Sequence, residues 1–536
     1  MIQVGSPSFE RRTDLDALRG VAMVLGIVLH ASLSFFPCPW PVQDNRQNGW
    51  LFLVYVVIHE FRMPLFFLIS GFFTMFLFRK YGLRKMLHLR ATRILLPLIL
   101  SLLTIGPLTF FLYQQGQSVT RIAPDSKPPW VAAILQNDSA SLQNALAQVR
   151  PEWKDPYHRL TPIYWSALAG NNKAIHLCLE SGADINQPVT EGNTPLHAAA
   201  LFAHPETVRL LLAKGADPTA INQGGRTARE FAVSLTRATP QLVKELGLTK
   251  LETAKLSIAS KEIFEILSRA EEEKTGRTIP GQINAAVLQY HAFLQSDLFN
   301  VPLGPFSFQL FTTKIFDHLW FLWMLSWLVT GFALVIYWGV LPAGRHLPWI
   351  LVFSLLPQIF MVTLGADLWM GLLFPPHMIA YYGCFFWFGA SVFAQEGMHT
   401  RLGARWKLLL PAGLLILIPA SLLTLSSHLL NSLIQSVNAW FLAFGFIGLF
   451  GRYASNLGRK TRWLSDATYW MYLAHLPLVL SIQLLIFRWP SAAILKFLFV
   501  NIVATALLLI SYGWFIRYSW VGTMLNGPRK RSPSVP

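Results

Sequence analysis

Residues 19 to 30 read RGVAMVLGIVLH, an arginine and a histidine at the two ends of ten uncharged residues. Ionisable side chains held inside a bilayer are unfavourable by several kcal/mol unless they are paired or face a wet cavity. On a helix, eleven steps of 100° make three turns plus about 20°, so Arg19 and His30 project from one face about 16 Å apart along the axis. Asp16, Met23 and Gly26 share that stripe. A guanidinium suits an anionic ligand, and an imidazole suits proton transfer near neutral pH. The simpler reading of each residue stands beside this one: Arg19 as an interfacial anchor paired with Asp16, and His30 packed against a neighbouring helix.

Four further stretches carry chemistry. In FRMPLFFLISGFF, Arg62 precedes a span containing Pro64 and Ser70-Gly71, which permit backbone irregularity and close helix approach. In LRATRILLP, Arg90 and Arg93 stand one helical turn apart, an arrangement suited to phosphate and also to an ordinary basic flank. FDHLWFLWML opens a span with Asp317 and His318, and DATYWMYLAHLPLV places Tyr472 and His475 on one helical face. Deep histidines on two different spans, His30 and His475, point to a shared internal site.

The elements that must position these residues are membrane helices. Of 536 residues, 53% are hydrophobic and only 13% charged, with 39 Phe and 19 Trp, which marks a polytopic membrane protein. Apolar runs of bilayer length predict ten spans, near 17–36, 51–78, 94–114, 318–341, 349–371, 378–395, 407–426, 431–450, 466–487 and 492–516. The first run begins at about Gly20 without a small-residue cleavage site, so it reads as a span and not as a signal peptide. Net charge is +17, yet residues 115–310 hold 18 Lys+Arg and 18 Asp+Glu, leaving 26 against 9 in the remainder. That excess falls in loops on one side of the predicted membrane: Arg11 and Arg12; Arg79, Lys80, Arg84, Lys85, Arg90 and Arg93; Arg345; Arg401, Arg405 and Lys407; Arg452, Arg459, Lys460 and Arg462; Arg529, Lys530 and Arg531. Arg46 and Arg488 are the exceptions. The bias is a topology signal and not a nucleic-acid footprint, and it predicts cytosolic termini with the 115–310 insertion outside. Cys38, Cys178 and Cys384 show neither metal spacing nor a disulfide framework, so no metal is expected.

The insertion repeats itself. TPIYWSALAGNNKAIHLCLESGADIN starts at Thr161, TPLHAAALFAHPETVRLLLAKGADPT at Thr194 and TAREFAVSL at Thr227, at 33-residue steps. This period, with Thr-Pro-Leu-His and Gly-Ala-Asp, resembles the ankyrin repeat, in which helix pairs must stack to bury their apolar faces. Residues 130–147 read as a leading half-repeat and 261–273 as a closing helix. His197 is expected to serve the turn, not a ligand. Segments 116–129 and 274–309 read as linkers. The fold class is therefore an all-α polytopic membrane protein with an inserted α-helical repeat domain. Its parts are spans 1–3 in residues 1–114, the insertion in 115–310 with a core at about 130–273, spans 4–10 in 311–517, and a basic tail in 518–536.

LDALRGVAMVLGIVLH, RMPLFFLISGFF, the Arg90/Arg93 pair, HLWFL at 318–322 and YWMYLAHLPLV at 469–479, in this order, resemble the integral-membrane acyltransferase family 3, and more closely its glucan-biosynthesis protein C branch. The ankyrin-like insertion is not a usual part of that family. The resemblance implies a bacterial inner-membrane enzyme that takes an acyl group, succinyl or acetyl, from cytosolic acyl-CoA to a hydroxyl of an extracytoplasmic carbohydrate such as a periplasmic glucan. It also implies His30 and Arg19 as the catalytic pair, and Arg19, Arg90 and Arg93 as the grip on the CoA end. Arg62, His318, Trp320 and His475 are candidates for the acceptor side. The expected partners are acyl-CoA, a carbohydrate, the bilayer and a protein held by the repeats, with no nucleic acid. Two other readings stay open: a transporter with a buried His/Arg path, and a membrane-anchored interaction protein whose repeats do the work.

Overall fold

The computed structural model describes residues 12–36, 38, 40–44, 46, 48–120, 128–155, 160–189, 192–222, 226–232, 253–276, 281–294, 296–303, 306–361, 365–394, 402–424, 427–455 and 459–527. Arg11, Arg401, Arg529, Lys530 and Arg531 lie outside them, as do the side chains of Arg459, Lys460 and Arg462, linker residues 121–127 and 277–280, and 233–250 after the third repeat start. The chain divides into a membrane unit (12–116, 313–422 and 429–527 among the described residues) and a repeat unit built from 117–312 with 423–428.

Helix α1 (Thr13–Ser32) starts with Asp14 and Asp16 in its first turn, where carboxylates complement the helix dipole. Arg12 clamps Asp14 at 2.8 and 2.6 Å. Helix α2 (Gly49–Arg90) is N-capped by Asn48, whose side chain accepts from the Trp50 amide at 2.9 Å. A π turn at Ala91–Leu95 links it to α3 (Leu96–Thr120). The apolar stretch Gly49–Gly116 has 68 residues, about 100 Å if straight, three times a bilayer core. It folds back at Gly82, whose φ of 74° only glycine adopts readily, and Arg90 thereby returns to the Ser70 carbonyl and the Thr74 hydroxyl. The irregularity expected at Pro64 is absent: α2 runs through it.

The repeat unit follows: α4 (Pro129–Gln136), α5 (Ser139–Leu146), α6 (Pro162–Leu168), α7 (Asn172–Glu180), α8 (Pro195–Leu201), α9 (Pro205–Ala213), α10 (Ala228–Ala232), α11 (Thr253–Thr275), α12 (Gly281–Leu294) and a hairpin of β1 (Asn300–Leu303) and β2 (Phe306–Gln309). Asp138, Thr161 and Asn171 N-cap their helices. The half-repeat region forms the α4/α5 pair, and the closing helix lies within α11, tied to α10 by a buried Arg229–Glu271 pair at 2.9 Å. His197 serves the turn as expected. Its Nδ1 accepts from the Thr194 amide at 3.1 Å and pairs with the Thr194 hydroxyl at 2.9 Å, and its Nε2–H donates to the Arg226 carbonyl at 2.9 Å.

The membrane unit resumes with α13 (Trp320–Tyr337), then α14 (Leu347–Phe353) and α15 (Leu355–Gln358), α16 (Pro376–Ala394), α17 (Trp406–Ala412), α18 (Ile418–Leu423), α19 (His428–Tyr453), α20 (Arg459–Ile486), α21 (Ala493–Ser511) and α22 (Trp520–Asn526). The span expected at 349–371 is corrected to two short helices followed by turns. Pro357, Gly365 with φ +81° and the Pro375-Pro376 pair break it. Seven stretches among the described residues, including the folded Gly49–Gly116, are long and apolar enough to cross a bilayer. They make the chain a multi-pass membrane protein.

Helix α2 packs most closely on α16. A Cβ at Gly71 would stand 1.8 Å from the Phe386 carbonyl oxygen, and one at Gly389 would stand 1.9 Å from that of Leu68. Small residues bring the two backbones into contact, the usual device where lipid supplies no hydrophobic drive. Gly71→Ala is therefore expected to abolish the folded membrane unit, read as loss of a monodisperse detergent-extracted peak, whereas Gly331→Ala, where nothing stands within 4 Å of the added methyl, should leave it intact. In the repeat unit, burial pushes the His197 pKa down to about 4 from 6.5. The unfolded chain then binds the extra proton between those values, so stability is lost as pH falls from about 6.5 to about 4, by about 3 kcal/mol. Amide exchange across 194–211 in the full chain should accelerate over that window and do so less in His197→Asn.

Candidate active site

Parallel helices α1 and α20 carry the centre of the site. Arg19 meets Ser465, with its Nη2 2.8 Å from the hydroxyl, and eleven residues later His30 meets His475, with Nδ1 and Nε2 3.1 Å apart. The two groups expected on one face of α1 thus both face α20, offset by about 16 Å. Arg19 also holds Asp16 at 3.4 Å, so the anchor reading and the shared-face reading describe the same side chain.

Three histidines from three helical segments converge. The ring centroids of His30 and His475 are 4.9 Å apart, and those of His318 and His475 are 5.3 Å apart. The backbone decides their tautomers, because a carbonyl only accepts. His475 Nδ1 lies 2.8 Å from the Tyr472 carbonyl and must carry a proton, so Nε2 of a neutral His475 is an acceptor. His30 Nδ1 lies 2.9 Å from the Gly26 carbonyl and 3.1 Å from that acceptor, so it also carries the proton. The consequence is a free lone pair on His30 Nε2, which no described group engages. The His30 side chain is half-buried, while His318 and His475 are buried. His318 Nε2–H donates to the Leu473 carbonyl at 3.0 Å, and the Tyr472 hydroxyl donates to the His318 carbonyl at 2.7 Å. Asp317, left-handed at φ 43°, turns the chain into this position.

Behind His30, Gln483 donates to the His30 and Ala31 carbonyls at 3.3 Å each, carbonyls that the end of α1 leaves without helical donors. Trp40 donates to Gln483 at 2.9 Å, with its ring 5.8 Å from His30. Arg62 joins the same space. A Cβ at Gly26 would stand 2.2 Å from its Nη1, its Nε is buried without a partner, and Tyr55, Tyr382 and Tyr472 are its electrostatic neighbours. No carboxylate pairs with it among the described residues. Trp320 packs against Phe67 and Tyr382, with centroids 6.3 and 5.7 Å apart.

At the other end of α1, Arg90 donates to the Thr74 hydroxyl at 2.7 Å and to the Ser70 carbonyl at 3.2 Å, within electrostatic reach of Arg93 and Arg19. The π turn carries Arg93, which is exposed, and Tyr469 donates to the Arg93 carbonyl. Three guanidiniums therefore gather where Arg19 sits, and the histidines gather about 16 Å further along α1. Sequence reasoning missed Ser465, Gln483 and Trp40, ordinary residues with no pattern of their own. It also passed over Glu60, a carboxylate inside an apolar run that was visible as such.

The family model described as an acyltransferase domain matches residues 12–166, and the model for ankyrin repeats in three copies matches residues 130–222. The chain is similar to glucans biosynthesis protein C of Shigella dysenteriae serotype 1 (strain Sd197) and of Escherichia coli strains K12 and O1:K1 / APEC. Each is 36% identical over 111 residues, 20% of this chain. The match spans 29% of the length of these relatives. Diethyl pyrocarbonate should modify His30 first, at its open Nε2, with His318 and His475 lagging far behind in peptide mass spectra; equal labelling of the three would contradict the tautomer assignment.

Proposed function

From a chain that carries an acyltransferase domain and ankyrin repeats, we propose a membrane O-acyltransferase that moves an acyl group from acyl-CoA to a carbohydrate hydroxyl across the bilayer. The single observation that supports it is the fixed tautomer of His30, which leaves the Nε2 lone pair unprotonated, near the Arg62 guanidinium. The acceptor hydroxyl attacks the thioester carbonyl, the C–O bond forms, and its proton passes to His30 Nε2. Arg62 faces the negative charge that gathers on the carbonyl oxygen. As the C–S bond breaks, His30 returns the proton to the leaving thiolate. His475 holds the imidazole in register as a positioning residue, and His318 and Tyr472 brace the acceptor side.

Arg19, Arg90 and Arg93 suit the phosphates of CoA. CoA is too polar to enter lipid, and the offset of about 16 Å between Arg19 and His30 is comparable to an extended pantetheine arm reaching between helices. The basic-loop bias favours cytosolic termini and a bacterial inner membrane location, with the donor entering from the Arg19 end. A glucan acceptor is suggested by the likeness to proteins named glucans biosynthesis protein C, the succinyl group and the periplasmic side are what the family resemblance implies, and the repeats suit a protein or polymer partner.

The deciding experiment supplies radiolabelled succinyl-CoA or acetyl-CoA and an oligoglucan to membranes containing the protein. His30→Ala should lower acyl incorporation by at least about 10²-fold with protein level and membrane insertion unchanged. Retained incorporation removes His30 from the mechanism. An acyl group found covalently on His30 in quenched wild-type protein would make it a carrier and not a base.

A further inference from the structure

A second buried polar centre lies in the membrane unit, on a different face of α2. Glu60 is 2% exposed. Its Oε2 accepts from Asn438 Nδ2, and its Oε1 accepts from the Ser421 hydroxyl at 3.4 Å. Among the described residues no Lys, Arg or His is hydrogen-bonded or ion-paired to it. Arg62 sits two residues on, about 200° round the helix, and His59 is turned to the Ala366 carbonyl at 3.1 Å. A buried carboxylate with two neutral donors and no counter-charge is unfavourable in a bilayer. Something must balance it.

The groups around Glu60 supply oxygen atoms and no sulfur. The Asn438 Oδ1 belongs to a fully buried residue and has no partner, and its amide nitrogen already touches Glu60, so the free oxygen is held beside the carboxylate. Pro64 has no N–H to give the Glu60 carbonyl, which leaves that oxygen without its helical donor. Ser421 brings its hydroxyl from α18, just beyond a π turn at Gly413–Leu417. Gly413, in that bulge, lets Asn438 Oδ1 and the Leu442 side chain pack close to its backbone: an added Cβ would stand 3.0 Å from the oxygen and 2.7 Å from Leu442 Cδ2. From Ser421 a buried amide ladder continues. Asn431 donates to the Ser421 carbonyl and Gln435 to Asn431. The Gly365 amide donates to Gln435 at 2.7 Å, in the turns that replace the broken helix. Broken membrane helices that present oxygen atoms to a buried carboxylate are the usual framework of alkali-cation sites.

We infer that the oxygen-bearing cluster of Glu60, Asn438 and Ser421 binds one small monovalent cation, of the sodium class. Hard oxygen donors exclude soft metals, and a single negative charge matches a single positive one. The site is separate from the histidine centre, so it stands or falls apart from the acyl-transfer reading. The ion neutralises Glu60 and ties α2 to α18 and α19.

The test uses the purified full chain in detergent, with N-methylglucamine chloride exchanged for sodium chloride at constant ionic strength. Sodium should raise the Tm by a few degrees in a saturable manner, and ²²Na should bind at one ion per chain. Glu60→Gln should lose both effects, and Asn438→Ala should weaken both, while His30→Ala keeps them. Equal Tm in sodium, potassium and N-methylglucamine overturns the proposal, and so does a sodium increment that survives in Glu60→Gln. A proton alone would do so too, seen as sodium-free protein that gains stability on acidification while sodium adds nothing at any pH and no ²²Na is retained. Because ²²Na binding is read on wild type, failure of a variant to fold does not protect the idea.

Discussion

A single proton on His30 Nδ1 fixes the direction of the whole centre. Around that nitrogen stand a backbone carbonyl and the lone pair of His475, whose own proton the Tyr472 carbonyl fixes on Nδ1. Three groups from two helices thus agree on one tautomer, and the lone pair has to appear on the opposite side of the ring. If either helix slid by one residue relative to the other, the His30–His475 pair would part and the tautomer would no longer be specified. The packing of α1 on α20 is therefore a chemical requirement as well as a structural one.

The same reasoning explains where glycine was required. Gly26 carries no Cβ because Arg62 occupies that volume, with Nη1 2.2 Å from where the methyl would be. One glycine therefore supplies both the carbonyl that fixes His30 and the space that admits the guanidinium. Elsewhere in the membrane unit buried charge is balanced outright. Lys496 donates to Asp44 at 2.6 Å and to the Phe487 carbonyl at 2.9 Å, with both charged side chains almost fully buried. Removing one partner of such a pair leaves an uncompensated charge, worth about 3–5 kcal/mol. That contrast gives Arg62 and Glu60 their interest, since the described residues offer neither one a partner of opposite charge.

What the sequence made legible follows from physical type. Helical periodicity placed Arg19 and His30 on one face, and both proved to face α20. His30, His318 and His475 stood out as ionisable groups in apolar runs, and they converge. The 33-residue period located the repeat helices and the duty of His197. Residues that act only through tertiary contact stayed hidden: Ser465 and Gln483 are unremarkable until α1 lies beside α20. Hydropathy also misread 349–371, because an apolar window does not register that Pro357 and Gly365 break the helix while Gln435 and His59 satisfy its freed backbone. Trp320 was drawn toward the site by His318 two residues earlier, yet two steps along a helix turn it by about 200°, into the aromatic packing around Phe67.

The position of the insertion obeys a constraint of the membrane unit itself. The Tyr113 hydroxyl lies 3.5 Å from the Asp317 carboxylate, although 204 residues separate them in sequence. Gly116 rests against Pro41, so the end of α3 is pinned before the chain leaves. The two ends of the excursion are thus held together by the membrane helices and not by the repeats. Loop-closure entropy grows only logarithmically with length, so a domain of this size adds little strain once its ends already meet. The anchor points are also those that set the site. Asp317 precedes His318, and Tyr113 meets Trp40 edge to face, with centroids 6.1 Å apart, the ring that braces Gln483 behind His30. The segments that lead into and out of the insertion therefore lie next to the histidines.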